Sequence, residues 1–256
     1  MRYEILGPLR VIDGKNANTI KAQKVEFLLV ALVIRSDQVV STDQLIREIW
    51  GEEPPRSATA SLYVYISQIR KLLRRTGTGV SPVFTRPPGY MLTLGHDALD
   101  LDDFTRLLKE GRDHLRSRRY EAAVRAFGDA LALCLGPLLA DIARGPILQG
   151  FRTWLYEAQL ECKEGLMEAH LALGRHRELV SDLYLLSTEH PMREAFHRQL
   201  MLALHRSGCR GDALLVYRRV RQTLRDELGV EPGPALKDIQ RVILTDDGSV
   251  GTGSAR

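Results

Sequence analysis

Leu166, Ala169 and Gly174 return as Leu200, Ala203 and Gly208, each 34 residues further on. An acid follows each glycine by four positions, Glu178 and then Asp212. A helix–turn–helix unit of that period is the mark of tetratricopeptide-type repeats, in which no unit buries its apolar face alone and each stacks on its neighbour. The run Ser117-Arg118-Arg119-Tyr120-Glu121-Ala122-Ala123 has the same layout out of phase, so an insertion separates it from the other two. Periodic Ala and Leu also occur in plain bundles; the repeat constrains this part of the chain to packed helices.

The helical pattern begins at Leu99. Leu101, Phe104, Leu107, Leu108 and Leu115 form one stripe, and Ala122, Ala123, Ala126, Phe127, Ala130 and Leu131 the next. Gly136-Pro137 and Gly145-Pro146 bracket an irregular connection. Helices are expected near 149–172, 176–188, 192–206, 211–227 and 233–244. From Thr245 the chain is polar and Gly/Ser-rich, as a disordered tail is.

The first 96 residues read differently. Tyr3 and Ile5, then Leu9 and Val11, alternate around Gly7-Pro8, and Asp13-Gly14 is a turn signal, so short strands open the chain. Val25, Leu28, Leu29, Leu32 and Val33 then recur at helical spacing. Ser41 caps a second, short helix with Leu45, Ile46 and Ile49 inward, closed by Trp50-Gly51. After Pro54-Pro55 a third helix runs from about Ser57 to Arg74. Its Leu62, Ile66, Ile69 and Leu73 lie within about 60° of arc at 100° per residue. Val83-Phe84-Thr85 and Tyr90 to Leu94 are strand-like, and Arg86-Pro87-Pro88-Gly89 between them is a hairpin tip. Trp50 and Tyr90 read as core and as the pin of the hairpin. A chain of 256 residues is about twice one domain, and the expected division is 1–96, 97–244 and a tail, 245–256.

Charge divides at the same place. Residues 1–96 carry 13 Lys/Arg against 8 Asp/Glu, while the rest carries 23 against 24. Between Arg56 and Arg75 stand five cations (Arg56, Arg70, Lys71, Arg74, Arg75) and no acid. Such a block suits a polyanion partner, and a helix dipole alone also favours cations near a helix C-terminus. Charge by itself leaves both readings open.

Strands, three helices and a terminal hairpin in this order form a winged helix-turn-helix, whose third helix enters the major groove while the hairpin reaches the adjacent backbone or minor groove. Opposite the buried stripe lie Ala60, Val64, Ser67 and Lys71, flanked by Arg56, Tyr63, Arg70 and Arg74. Small central residues allow close approach to the groove floor, and Val64 or Ala60 fits a thymine methyl while Ser67 fits a base edge. Few bidentate base contacts are available at the centre, so affinity is expected to be mostly electrostatic with a contribution from DNA shape.

Other chemistries find no support in the residues. The seven histidines and three cysteines (Cys134, Cys162, Cys209) are in no metal-ligand spacing, so no metal or cofactor is expected. No nucleophile elbow or carboxylate dyad suggests an enzyme. No apolar run is long enough for a membrane span, and Met1-Arg2-Tyr3-Glu4 does not open like a secretory signal, so a cytoplasmic, nucleoid-associated protein is expected. Two functions remain from the residues alone. One is a DNA-binding transcriptional activator. The other is a tetratricopeptide-type adaptor with a merely structural N-terminal part, or a ligand-responsive regulator combining both.

The run Thr59-Ala60-Ser61-Leu62-Tyr63-Val64-Tyr65-Ile66-Ser67-Gln68-Ile69-Arg70-Lys71-Leu72-Leu73, followed by Thr85-Arg86-Pro87-Pro88-Gly89-Tyr90, resembles the DNA-binding domain of the Streptomyces antibiotic regulatory protein (SARP) family. So do Leu6-Gly7-Pro8-Leu9 and Leu45 to Gly51. The stretch from Asp100 to about Leu244, including Asp226-Glu227-Leu228-Gly229-Val230-Glu231-Pro232-Gly233, is similar to that family's bacterial transcriptional activation domain. No Walker-type Gly-x-x-x-x-Gly-Lys-Ser/Thr run appears, so the resemblance is to a short, pathway-specific member.

The resemblance implies a mainly α protein: an N-terminal OmpR-type winged helix-turn-helix with small β-sheets, then an all-α tetratricopeptide-like activation domain. It also implies binding to direct repeats near promoters of an antibiotic or secondary-metabolite gene cluster. Two protomers would lie side by side on double-stranded DNA and recruit RNA polymerase with its sigma factor. On the related response-regulator effector fold, positions matching Ser61, Ser67, Arg70, Lys71 and Arg86 contact DNA. Ser67 stands where that fold often has arginine, which leaves Arg70 and Lys71 as expected backbone anchors.

Overall fold

The computed structural model of the chain describes residues 1–14, 16–18, 20, 22–74, 79–136 and 145–246. In chain order the elements are β1 (Arg2–Glu4), β2 (Arg10–Asp13), β3 (Asn16–Asn18), α1 (Gln23–Ile34), β4 (Val40–Ser41), α2 (Thr42–Trp50), α3 (Ala58–Leu72), β5 (Val83–Arg86), β6 (Gly89–Leu92) and β7 (Ala98–Leu99). Then come α4 (Asp100–Arg116), α5 (Tyr120–Ala132), α6 (Pro146–Ala172), α7 (His176–Glu189), α8 (Glu194–Arg206), α9 (Arg210–Leu228) and α10 (Pro234–Thr245). The protein is mainly α, a winged helix-turn-helix with two small sheets followed by helices. The chain packs as two compact units, Met1–Lys109 with Gly128–Glu161, and Glu110–Phe127 with Cys162–Arg256. Packing thus draws part of the helical half into the first unit, whereas sequence pattern divides the chain at residue 96.

In the first unit, one sheet has the order β3-β2-β1-β7 and the other β4-β6-β5. β7 is a strand that the sequence reading places at the start of the helical region. It forms because Ala98 and Leu99 pair in parallel with Arg2 and Tyr3 of β1, a partner nearly a hundred residues away. α1 is apolar on nearly every side, with Val25 and Phe27 through Val33 buried, so it lies centrally with α2 and α3 packed on it. α2 starts with a capping box: Gln44 N–H donates to Ser41 Oγ at 3.2 Å, and Ser41 N–H donates to Gln44 Oε1 at 3.1 Å. Trp50 is half-buried rather than core. It stacks on Tyr65, ring centroids 6.0 Å apart, with Lys24 Nζ 5.2 Å from its centroid; at the last position of a nine-residue helix the indole is covered by these side chains rather than enclosed in the core.

Two buried carboxylates knit the first unit. Asp100, the first residue of α4, accepts the backbone N–H groups of Ile5 and Leu6 at 2.8 and 3.0 Å. Glu48 of α2, 1% exposed, accepts those of Ile147 and Leu148 in the first turn of α6. In both cases a carboxylate satisfies backbone donors that burial would otherwise orphan. Burial nevertheless pushes both carboxyls above their ordinary range, against the pull of these N–H groups and, for Glu48, of Arg35.

The second unit bears out the repeat in its turns. Gly174 and Gly208 have φ of 81° and 85°, and Arg118 has φ of 56°. At each, the residue's own N–H reaches the carbonyl three positions back and the next N–H reaches the carbonyl five back: Arg118 to Leu115 and Arg119 to His114, Gly174 to Leu171 and Arg175 to His170, Gly208 to His205 and Cys209 to Leu204. This is the Schellman closure of a helix, and the next helix starts two residues later in all three. The out-of-phase segment is therefore a repeat turn, with arginine where its sisters have glycine. Within the same unit Phe127 fills a slot opened by Gly111 and Gly165, since a Cβ at either would press on its ring. The anticipated tail falls differently at its start, for Thr245 closes α10. Residues 247–256, Arg75, and 137–144 of the connection before α6 lie outside the described residues. Among the described residues no helix is long and apolar enough to cross a membrane, and no His/Cys/Asp/Glu group is placed to hold a metal.

Candidate nucleic-acid interface

Pro54-Pro55 ends the preceding segment, and Ala58 N–H donates to the Pro55 carbonyl at 2.9 Å to start α3. Along α3 the inner stripe of Ala58, Leu62, Ile66 and Ile69, continued by Leu73, is buried as the periodicity requires. The opposite side faces out. Ala60, Ser67, Lys71 and Arg74 are exposed, as is Arg56 just before the helix. Tyr63 and Val64 are 55% and 54% exposed. Ser61 is half-buried at the edge of this face. No acid occurs anywhere on α3.

The hairpin β5–β6 closes on Pro87-Pro88, with Arg86 opposite Gly89 and Thr85 opposite Tyr90. Arg86 is exposed beside the turn. β4 backs the hairpin: Val40 pairs with Tyr90 and Ser41 with Gly89. Gly89 is required there, because a Cβ would fall on the Val40 carbonyl oxygen and within 2.7 Å of Ser41 Cα. Thr42 adds two donors, its N–H and hydroxyl, to the Pro88 carbonyl at 3.2 and 3.1 Å.

Arg70 takes a different place from the one expected of a phosphate anchor. Its Nε donates to the Val83 carbonyl at 3.0 Å and its Nη2 to Thr85 Oγ1 at 2.7 Å, while the guanidinium lies 5.7 Å from the Tyr90 ring centroid. Tyr90 is buried, and burial together with nearby Tyr63 pushes its phenol up, so it stays neutral and presents an electron-rich face to the cation. By contrast Arg56, Lys71, Arg74 and Arg86 make no ion pair among the described residues.

Two further exposed groups lie on this surface, Gln68 and Phe84, neither of them among the residues expected to contact DNA. Gln68 lies about 60° from the centre of the outward face by helical geometry and is exposed. It supplies an amide capable of bidentate base contact that the face otherwise lacks. Phe84 is exposed on β5 next to buried Val83, as are Thr85 and Arg86 after it. The angular position of Gln68 was readable from its spacing to Leu62; that of Phe84 needed the strand register.

Two family models match successive parts of the chain. A family model described as "Transcriptional regulatory protein, C terminal" matches residues 18–92, and one described as "Bacterial transcriptional activator domain" matches residues 99–244. The chain is 34% identical over 253 residues to regulatory protein DnrI of Streptomyces peucetius, covering 96% of this chain and 93% of that protein. It is 36% identical over 246 residues to transcriptional regulatory protein EmbR of Mycobacterium tuberculosis, covering 94% of this chain and 63% of EmbR. Regulatory protein AfsR of Streptomyces coelicolor is 37% identical over 249 residues, 96% of this chain and 24% of AfsR. The chain therefore spans less than two thirds of EmbR and about a quarter of AfsR. A solved structure of M. tuberculosis EmbR in complex with a low affinity phosphopeptide superposes with a TM-score of 0.86 at 34% identity, over 95% of this chain and 64% of that one.

Proposed function

The chain belongs to the Streptomyces antibiotic regulatory protein family of transcriptional regulators, and from that membership we propose that it is an activator that grips promoter DNA with α3 and the β5–β6 hairpin. One observation carries the reading. The outward side of α3 is exposed and free of acids, small at its centre, and bordered by Arg56, Lys71 and Arg74, with Arg86 standing beside it on the hairpin. A major groove admits such a helix, phosphates meet its marginal cations, and base edges meet Ala60, Val64, Ser67 and Gln68. Tyr63 and Ser61 stand at the rim, where hydroxyls reach phosphate oxygens. Arg70 is assigned to the hairpin instead.

In this reading residues 1–96 bind DNA and residues 97–244 engage the transcription machinery, RNA polymerase with its sigma factor, through packed helices. Two protomers sit side by side on direct repeats upstream of an antibiotic or secondary-metabolite gene cluster, and the protein works in the cytoplasm at the nucleoid. Footprinting on the promoters of the genes flanking its own, followed by transcription with purified polymerase, tests this. Support would be protected segments recurring in one orientation and added transcript only from templates that carry them. Protection without orientation, or transcription unchanged by the protein, would contradict it.

A further inference from the structure

Arg70 grips both strands of the hairpin one residue pair away from Arg86. Its two bonded acceptors, Val83 O and Thr85 Oγ1, are on β5, and the ring beneath it, Tyr90, is the β6 partner of Thr85. The next pair toward the tip is Arg86 with Gly89. From the other side the hairpin is held by β4 and by Thr42 on the Pro88 carbonyl. α3 and β4 thus clamp the hairpin between them, and among the described residues the Arg70 guanidinium provides two hydrogen bonds and a ring contact on the α3 side.

We propose that Arg70 is a positioning residue: it locks the β5–β6 hairpin to α3 and so fixes where the Arg86 side chain meets DNA, without meeting DNA itself. The inference rests on the DNA-binding reading above. A hairpin free to swing must be ordered at the moment of binding, and pre-ordering it removes that cost. Arginine is needed for this. Its planar fork bonds a carbonyl and a hydroxyl while its face covers an aromatic ring, whereas a lysine ammonium is a point charge with no such plane. A phosphate anchor, on the other hand, is served nearly as well by lysine.

Arg70→Lys therefore separates the two roles, because it keeps the charge and removes the fork. The full chain is titrated by fluorescence anisotropy against a duplex carrying its footprinted site, and hydrogen exchange of the β5 amides is measured without DNA. The lock predicts faster exchange over Val83–Arg86 in Arg70→Lys and binding weakened about tenfold, the scale of one lost charge-assisted contact. It also predicts non-additivity: Arg86→Ala costs about tenfold in the native background and less than about twofold in the Arg70→Lys background. Thr85→Val, which leaves every cation in place, should reproduce both effects in weaker form, and melting curves establish that the variants are folded. Binding by Arg70→Lys equal to that of the native chain, or additive losses with Arg86→Ala, would overturn the lock. A native chain with no salt-sensitive DNA binding would instead overturn the DNA reading itself. The exchange data, which need no DNA, tell that failure apart from failure of the lock.

Discussion

Asp100 Oδ2 accepts the backbone N–H of Leu6 at 3.0 Å, 94 positions away in the chain. The bond ties the first turn of α4 to the exit of β1, and Glu48 does the same between α2 and the start of α6. Within the first unit, buried carboxylates therefore join the winged-helix elements to the first turns of α4 and α6.

That arrangement fixes the sign of a pH effect. Both carboxyls bind a proton more tightly folded than unfolded, because burial raises them. Their contribution to stability is then largest at low pH. It declines as pH rises from the ordinary carboxylate value through the raised folded value, and is flat above it. Asp100→Asn removes one titrating group and turns an amide nitrogen toward N–H donors, a cost of about 1–3 kcal/mol. Urea unfolding of the two proteins across that window should show the gap between them shrinking as pH rises; a gap that widens would contradict the burial argument.

Gly89 is expected to tolerate no side chain. In Gly89→Ala the new methyl meets backbone of β4, which cannot swing aside as a side chain end would. A loss of about 1–3 kcal/mol is expected from such overpacking, read as a lower melting temperature together with weaker DNA binding. A variant of native stability would mean that β4 and β6 separate freely.

Arg118 offers the opposite case. It holds φ of 56° in a turn whose two counterparts use glycine, and a left-handed conformation costs a non-glycine residue about 1–2 kcal/mol. Glycine's greater freedom in the unfolded chain returns about 0.5–1 kcal/mol of that. Arg118→Gly should therefore stabilise by roughly 0.5–1 kcal/mol in denaturant titrations. A destabilised variant would show that the arginine side chain contributes more than its backbone costs.

Sequence preference should reside in the middle of α3. Gln68→Ala and Ser67→Ala are expected to relax discrimination at individual base pairs by about 1–3 kcal/mol for a bidentate contact and less for a hydroxyl. Affinity for unrelated DNA should stay nearly unchanged. Selection from a randomised site library checks this: an unaltered consensus for both variants would move base reading elsewhere.

The parts legible in the sequence are those set by local pattern. The inward stripe of α3, the Pro-Pro turn with Arg86 opposite Gly89, the Ser41 cap and the repeat glycines all depend on neighbours within a few residues. Asp100, Glu48 and β7 were not legible as structural ties, because each acts on a partner about a hundred positions away. Glu48 did leave a trace, since it stands three residues after buried Leu45 on the inner side of α2, where an acid is out of place unless it is bonded. Arg70 was legible as a flank residue of α3 but not in its direction. Toward solvent or toward the hairpin are equally open to its long side chain until β5 is docked beside it.

In the proposed complex the outward side of α3 and the hairpin neutralise DNA phosphates, and the salt dependence of binding reads out that neutralisation. With Arg70 assigned to the hairpin, Arg56, Lys71, Arg74 and Arg86 remain, four cations per protomer among the described residues. Log K against log salt should then fall with a slope near −3.6 for one bound protomer, about one unit less steep in Lys71→Ala. Binding that is indifferent to salt, or a slope that Lys71→Ala leaves unchanged, would mean that these cations do not meet DNA phosphates.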